Sequence, residues 1–191
     1  MKAPVSALVP LAFLLAGDTA EAVPPSPVKK AVIVAGAPAD VWAAWSTTDG
    51  VKTFLAPAAR VEAVPGGPYE VLFDPSAPEG ARGCEGCTVV SADPPKRLVF
   101  TWSFPPSIPE LRAKGTMATV TVELMPGSGE GSTLVTLAHD GFPGEAAGEK
   151  GRAYFEKAGD VVLSRLQQRF RHGPVDWSKR QPVAIPPIAA G

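Results

Sequence analysis

The chain is poor in several things at once: of 191 residues only 7% are aromatic and 19% charged, with two cysteines and two histidines. Each shortage excludes something. A formal charge of -1 leaves no concentrated basic footprint, so neither nucleic acid nor an anionic membrane surface has an electrostatic claim as main partner. Apolar runs stop far short of the roughly 20 residues a permanent bilayer span requires. There is no Gly-x-Ser-x-Gly nucleophile elbow, no Gly-rich phosphate loop, and no carboxylate pair spaced for shared acid and base work. Support for an enzyme is therefore slight, and no metal or cofactor is expected. Plentiful instead are 22 prolines and 19 glycines, about a fifth of the chain where average usage gives roughly an eighth. That excess rules out a long helical bundle. It has no collagen period and sits beside clear apolar alternation, which points to one sheet-rich domain with punctuated turns.

Residues 1–22 read as a secretory signal, with Lys2 as the positive start, Ala7 to Ala16 as the short apolar stretch, and Ala20-Glu21-Ala22 as the small-x-small cleavage pattern. Position 18 is Asp, where a lipidated Cys would be needed for a lipoprotein anchor. The expectation is an exported protein, periplasmic or secreted; the bland alternative is an N-terminal extension of a cytosolic one. Residues 23–27 form a Pro-rich lead-in, the domain is expected over 28–172, and 173–191 read as a Pro-rich extended tail.

Within the domain, Val28 to Ala35 reads as a strand. Pro38 suits the first turn of a helix through Val41, Trp42 and Trp45, and Thr47 or Thr48 can cap a second short helix ending near Phe54 and Leu55. Strands follow at Ala59 to Val64, Tyr69 to Phe73, Cys87 to Ala92, Leu98 to Phe104, Thr116 to Leu124 and Thr133 to His139. Asp74 to Gly83 and Pro105 to Lys114 read as irregular. Leu98, Phe100, Trp102 and Phe104 alternate with smaller residues and so share one face. From Glu149 to Arg171 the series Phe155, Ala158, Gly159, Val162, Leu163, Leu166 and Phe170 marks a long amphipathic helix, with Arg165 assigned to its polar side. Short turns favour antiparallel pairing, and a long helix across such a sheet gives a two-layer α+β domain.

The order of elements resembles a known family. The run Val41 to Gly50 (VWAAWSTTDG), Gly83 to Val90, Pro95 to Trp102, Thr133 to Phe142 and the Tyr154-Phe155 helix are similar to the SRPBCC (START-like) superfamily, in particular the branch named after the activator of the heat-shock chaperone ATPase. This resemblance covers roughly Val28 to Phe170 and rests on patterns of fold more than of chemistry. It implies a helix-grip fold, a curved antiparallel sheet of about six to seven strands wrapped on the C-terminal helix. It also implies a cavity between the two, where some members bind small apolar molecules or lipids. Other members act as cyclases or assist chaperones. Export would separate this chain from a cytosolic chaperone.

Candidate site residues carry two readings each. Trp45, Phe54, Trp102, Phe104, Tyr154 and Phe155 either line a pocket or are plain core, with Tyr154 the better ligand candidate because it lies beside the apolar stripe and its hydroxyl needs a partner. Arg112 is either a polar contact at the pocket mouth or a solvated loop charge. His139 alternates with Val135 and Leu137 and so points toward the cavity side, or is hydrogen-bonded at a sheet edge; neighbouring Asp140 faces the other way and makes a poor dyad partner. Cys84-x-x-Cys87 lacks the further ligands for zinc unless His139 and His172 join, and precedes a strand rather than opening a helix as a redox pair would. A local disulfide, with Gly86 allowing the bend, and two reduced thiols packed as small apolar groups both remain open. The expected partner is a small hydrophobic molecule or lipid, and the expected assembly a monomer or weak homodimer. The alternatives are a cyclase- or hydrolase-type enzyme using His139 with Tyr154 or Asp140, and a chaperone-interacting module.

Overall fold

The computed structural model describes residues 26–179; the expected secretory signal, the first part of the expected lead-in and the residues beyond Lys179 lie outside them. Strand β1 (Val28–Val34) is followed by α1 (Pro38–Ser46), which opens on Pro38 and buries Val41, Ala44 and Trp45 at helical spacing. Helix α2 (Thr48–Lys52) starts where the Thr47 hydroxyl accepts the Gly50 N–H at 2.9 Å. Then come β2 (Ala58–Val61), β3 (Tyr69–Leu72), β4 (Gly83–Cys84), β5 (Val89–Asp93), β6 (Arg97–Ser103), α3 (Pro109–Arg112), β7 (Met117–Pro126), β8 (Thr133–Asp140) and α4 (Ala146–His172).

All strand pairs are antiparallel. A five-stranded sheet runs β1-β8-β7-β6-β5 and a three-stranded one β2-β3-β4. The single series of strands expected from the pattern thus divides in two, joined where Tyr69 N–H donates to Cys87 carbonyl (2.7 Å) and Val89 N–H to Gly67 carbonyl (2.8 Å). With α4 against it, this is the α+β helix-grip arrangement.

Two elements fall in segments expected to be irregular. β4 is two residues long and exists only because it pairs with β3, and α3 is a single turn opened by Pro109, so neither shows a period. Helix α4 begins three residues earlier than expected, because Gly148 can lie against Pro143, where a Cβ would meet the Pro143 carbonyl oxygen at 1.8 Å. The start of the expected extended tail is held down instead: Val175 N–H donates to Thr53 carbonyl (2.8 Å), Trp177 Nε1 donates to Lys52 carbonyl (2.6 Å), and residues Trp177–Lys179 form a single 3-10 turn.

The interior forms two clusters. The larger holds Trp45, Phe54, Tyr69, Phe100, Leu137 and Leu166; the smaller holds Phe104, Ile108, Leu111, Phe142 and Phe155. Helix α4 serves both, with Leu163 and Leu166 in the first and Phe155 and Ala158 in the second. Trp102, only partly buried, touches both clusters. A cavity opens beside it.

Candidate functional site

The cavity measures about 610 Å³ and lies between α4 and the sheet, within the few hundred to about 1,000 Å³ typical of small-molecule sites. Each wall comes from a different element. β6 contributes Trp102, β8 contributes His139, and α4 contributes Tyr154, Phe155, Ala158 and Val162. Phe73, at the end of β3, and the segment Ala81 to Gly83 close one side, while Pro105 to Ser107 and Trp177 close others.

His139 reaches the cavity because strand alternation turns Thr133, Val135, Leu137 and His139 inward together, leaving Asp140 exposed on the opposite side. The expected sheet-edge position does not hold: β8 is flanked by β1 and β7, where Val28 and Val120 sit opposite His139. The imidazole is stacked on Phe155, centroids 4.7 Å apart at 18°. Burial pushes its pKa down from 6.5 to about 4, so it is neutral near pH 7. Asp140 Oδ1 accepts its neighbour Gly141 N–H (2.7 Å) and forms no dyad with it.

Tyr154 projects from α4 beside the apolar stripe, its ring edge-on to Phe155. Burial raises its phenol to about 12, and the nearby positive charge of Arg112 opposes that rise. Both groups therefore face the cavity as neutral hydrogen-bonding tips in a largely apolar wall.

The other named residues lie elsewhere. Trp45 and Phe54 are fully enclosed and meet edge to face at 4.9 Å, and Phe104 is packed between Phe142 and Phe155; these three are core and do not line the cavity. The reason is depth: α1 and α2 press Trp45 into the larger cluster, and β6 ends at Ser103, so Phe104 turns into the smaller one. Arg112 is neither a mouth contact nor a solvated charge. Its guanidinium donates to the carbonyls of Gly80, Gly83 (3.0 Å) and Phe104 and stands 3.7 Å from Glu85. It ties the loop before β4, which forms one cavity wall, to the segment after β6.

Cys84 and Cys87 are joined in a disulfide, both fully buried, with Gly86 at φ +72° in the bend. Ser103 N–H donates to Cys84 Sγ at 3.2 Å, a hydrogen bond that holds β4 beside β6. Among the described residues no group of three or more His, Cys, Asp or Glu side chains is placed to hold a metal.

Sequence reasoning missed Arg165 and Trp177. Arg165 is buried at 7% exposure, lines the cavity, donates to Leu55 carbonyl (3.4 Å) and lies 5.7 Å from the Trp177 ring. Its place was legible: Phe155, Ala158, Val162 and Arg165 continue one helical stripe, and a lone tryptophan in a proline-rich tail was a second signal.

The sequence model of the family described as Activator of Hsp90 ATPase homolog 1-like protein matches residues 35–171. The chain belongs to that family. With it comes membership of the SRPBCC superfamily, in agreement with the sheet and helix already described. Solved structures share the fold at low identity. Protein MLL2253 from Mesorhizobium loti aligns with a TM-score of 0.60 at 16% identity, covering 78% of this chain and all of that one (100%). The Aha1 dimer from Colwellia psychrerythraea gives 0.58 at 17%, over 78% of this chain and 98% of that one. The AHSA1-like protein RHE_CH02687 from Rhizobium etli gives 0.54 at 24%, over 82% and 89%. No curated protein matches. Among the described residues no helix is long and apolar enough to cross a membrane.

Proposed function

We propose that this member of the Aha1-like family is an exported protein that binds a small hydrophobic molecule or lipid between α4 and the sheet. The carrying observation is the 610 Å³ space whose walls are mainly aromatic and aliphatic while two neutral polar tips, His139 and Tyr154, face inward. The space is partly open to solvent, so an apolar molecule can enter it and cover apolar wall that otherwise faces water. The disulfide at Cys84 and Cys87 supports export, because such bonds persist in oxidising compartments.

Native mass spectrometry of the protein recovered from its own cells, with a lipid extract offered, tests binding. An added mass lost on mutating the cavity wall supports the reading; an unliganded protein that takes up nothing from the extract sinks it. The same spectra read assembly, expected as monomer or weak homodimer; the Colwellia relative is described as a dimer. N-terminal sequencing tests export: a mature start at Val23 is expected. An intact Met1 would favour a chaperone-interacting role in the cytosol instead.

One observation favours a second reading, catalysis. A neutral imidazole that lines the same partly open cavity as a phenol carries a free lone pair, the minimum that a general base requires. On that reading His139→Ala abolishes turnover of a cyclisable or hydrolysable substrate with little change in melting temperature. A large loss of stability would mark the histidine as structural.

A further inference from the structure

The polar groups that line the cavity differ in what already occupies them. Arg82 donates to Ala77 carbonyl (3.2 Å) and stands 3.8 Å from Glu85. Arg165 is engaged by Leu55 carbonyl and by the Trp177 ring. Asp74 accepts from both the N–H and the hydroxyl of Ser76, at 3.0 and 2.6 Å. Asp74 and Arg165 are thus held by the protein itself, while Arg82, about a third exposed, commits only its Nε and leaves its terminal amino groups without a protein partner among the described residues. Ser107 is exposed.

His139 is different. It is 7% exposed, its only ring contact is the face of Phe155, and among the described residues no hydrogen bond reaches its nitrogens. Nor are those nitrogens sealed in: the one fully enclosed side-chain donor without a partner among the described residues is Trp45 Nε1. An unpaired ring nitrogen that is not enclosed by protein opens onto the cavity His139 lines. The Tyr154 hydroxyl likewise has no protein partner among the described residues. A buried polar group left unmade costs about 1–3 kcal/mol, so such a group is expected to find its partner in whatever fills the space.

Resting on the ligand-binding reading above, we propose that the occupant is an uncharged apolar molecule bearing a hydroxyl, which pairs with the imidazole of His139 while its hydrocarbon body lies against Trp102 and Phe155. A hydroxyl fits because it both donates and accepts. A neutral imidazole presents one N–H and one bare nitrogen, and a hydroxyl satisfies whichever of them faces the cavity, whereas a carbonyl satisfies only the first. A carboxylate would lose hydration on entry, with only the partly exposed Arg82 to replace it, and it has no proton to give a bare imidazole nitrogen. A plain hydrocarbon leaves His139 unpaired. Tyr154, the second open tip, selects for a further polar atom on the same ligand.

Three probes of one size separate these cases: naphthalene, naphthol and naphthoate, titrated by calorimetry at neutral pH into the full chain. Naphthol is expected to bind about tenfold tighter than naphthalene, the worth of one buried hydrogen bond, and tighter than naphthoate. His139→Phe, which keeps a ring stacked on Phe155, should bring naphthol down to the naphthalene affinity and leave naphthalene unchanged. Equal binding of naphthol and naphthalene to the native protein, or naphthoate as the tightest probe, overturns the inference but leaves a hydrophobic cavity standing. If none of the three binds, the cavity reading itself fails and this inference with it. Because the probe ranking is measured on the native protein, it decides the matter even if the variant does not fold.

Discussion

The imidazole of His139 lies nearly flat on the ring of Phe155, centroids 4.7 Å apart, so a strand of the central sheet and the long helix meet through two aromatic faces. The contact joins α4 to β8, and burial at this junction keeps the histidine neutral. A protonated ring there would be a charge stripped of most of its water.

Stability should therefore depend on pH in one direction. The folded chain keeps His139 neutral down to about pH 4, while the unfolded chain takes up a proton near the ordinary value of 6.5. Below 6.5 the unfolded state binds more protons, so folding free energy falls with decreasing pH until about 4 and is level above 6.5. The full loss is on the order of 3 kcal/mol at 1.4 kcal/mol per unit. Urea unfolding at a series of pH values for the native protein and for His139→Phe checks this, the difference curve isolating the histidine from exposed carboxylates. Parallel curves for the two proteins would show that the histidine is solvated.

Arg112 makes a second prediction. Its guanidinium gathers carbonyls from Gly80, Gly83 and Phe104 and approaches Glu85, joining a cavity wall to the end of β6. Arg112→Ala removes several charge-assisted hydrogen bonds and leaves those carbonyls to water, a loss of about 2–3 kcal/mol. Lys restores charge but not the planar fork, so Arg112→Lys should recover little. Hydrogen exchange should quicken across residues 74–85 in both variants. Unchanged protection there would mean that the disulfide alone holds the loop.

How far the sequence carries this structure depends on the kind of signal. Periodic segments are legible: the inward turn of His139 with Leu137 and the stripe on α4 appear where the spacing puts them, because burial follows period; on β6 it does not, since Val99 is buried between Leu98 and Phe100 and Trp102 only partly. What stays hidden is set by contacts distant in sequence. β4 exists through pairing with β3, Arg112 is defined by carbonyls 29 to 32 residues away, and residues 173–179 fold back onto α2 because Trp177 finds the Lys52 carbonyl. For the site, the sequence picks out Trp102, His139 and Tyr154 as cavity residues but not Arg165 or Phe73, and it cannot separate them from Trp45, Phe54 and Phe104, since an aromatic on an apolar face looks the same whether the space beside it is full or empty.

The disulfide yields a third prediction. It closes a four-residue loop, Cys84 to Cys87, for which chain entropy gives about 2 kcal/mol. Cys84→Ser with Cys87→Ser should lower stability by that amount or more, since two buried hydroxyls replace the bridge. Protein unfolded without reductant should show no free thiol; two titratable thiols in protein recovered from its native compartment would contradict the oxidised form and weaken the case for export.

A last prediction concerns Gly151, in the second turn of α4. Helix propensity says that Gly to Ala in such a position gains up to about 1 kcal/mol. Packing says otherwise. A Cβ on Gly151 would stand 2.5 Å from Phe104 Cε1 and 3.0 Å from its Cδ1, and the Phe104 ring is fully enclosed between Phe142 and Phe155 with no room to turn away. Overpacking of this kind costs about 1–3 kcal/mol, which exceeds the propensity gain. Gly151→Ala should therefore lower the melting temperature, and because Phe155 sits one turn further along α4 against His139, the shift should also disturb the cavity wall. Gly151→Ala combined with Phe104→Leu should recover part of the loss. A rise in melting temperature for Gly151→Ala alone would show that α4 can move off the sheet there, and that the smaller cluster is looser than its contacts suggest.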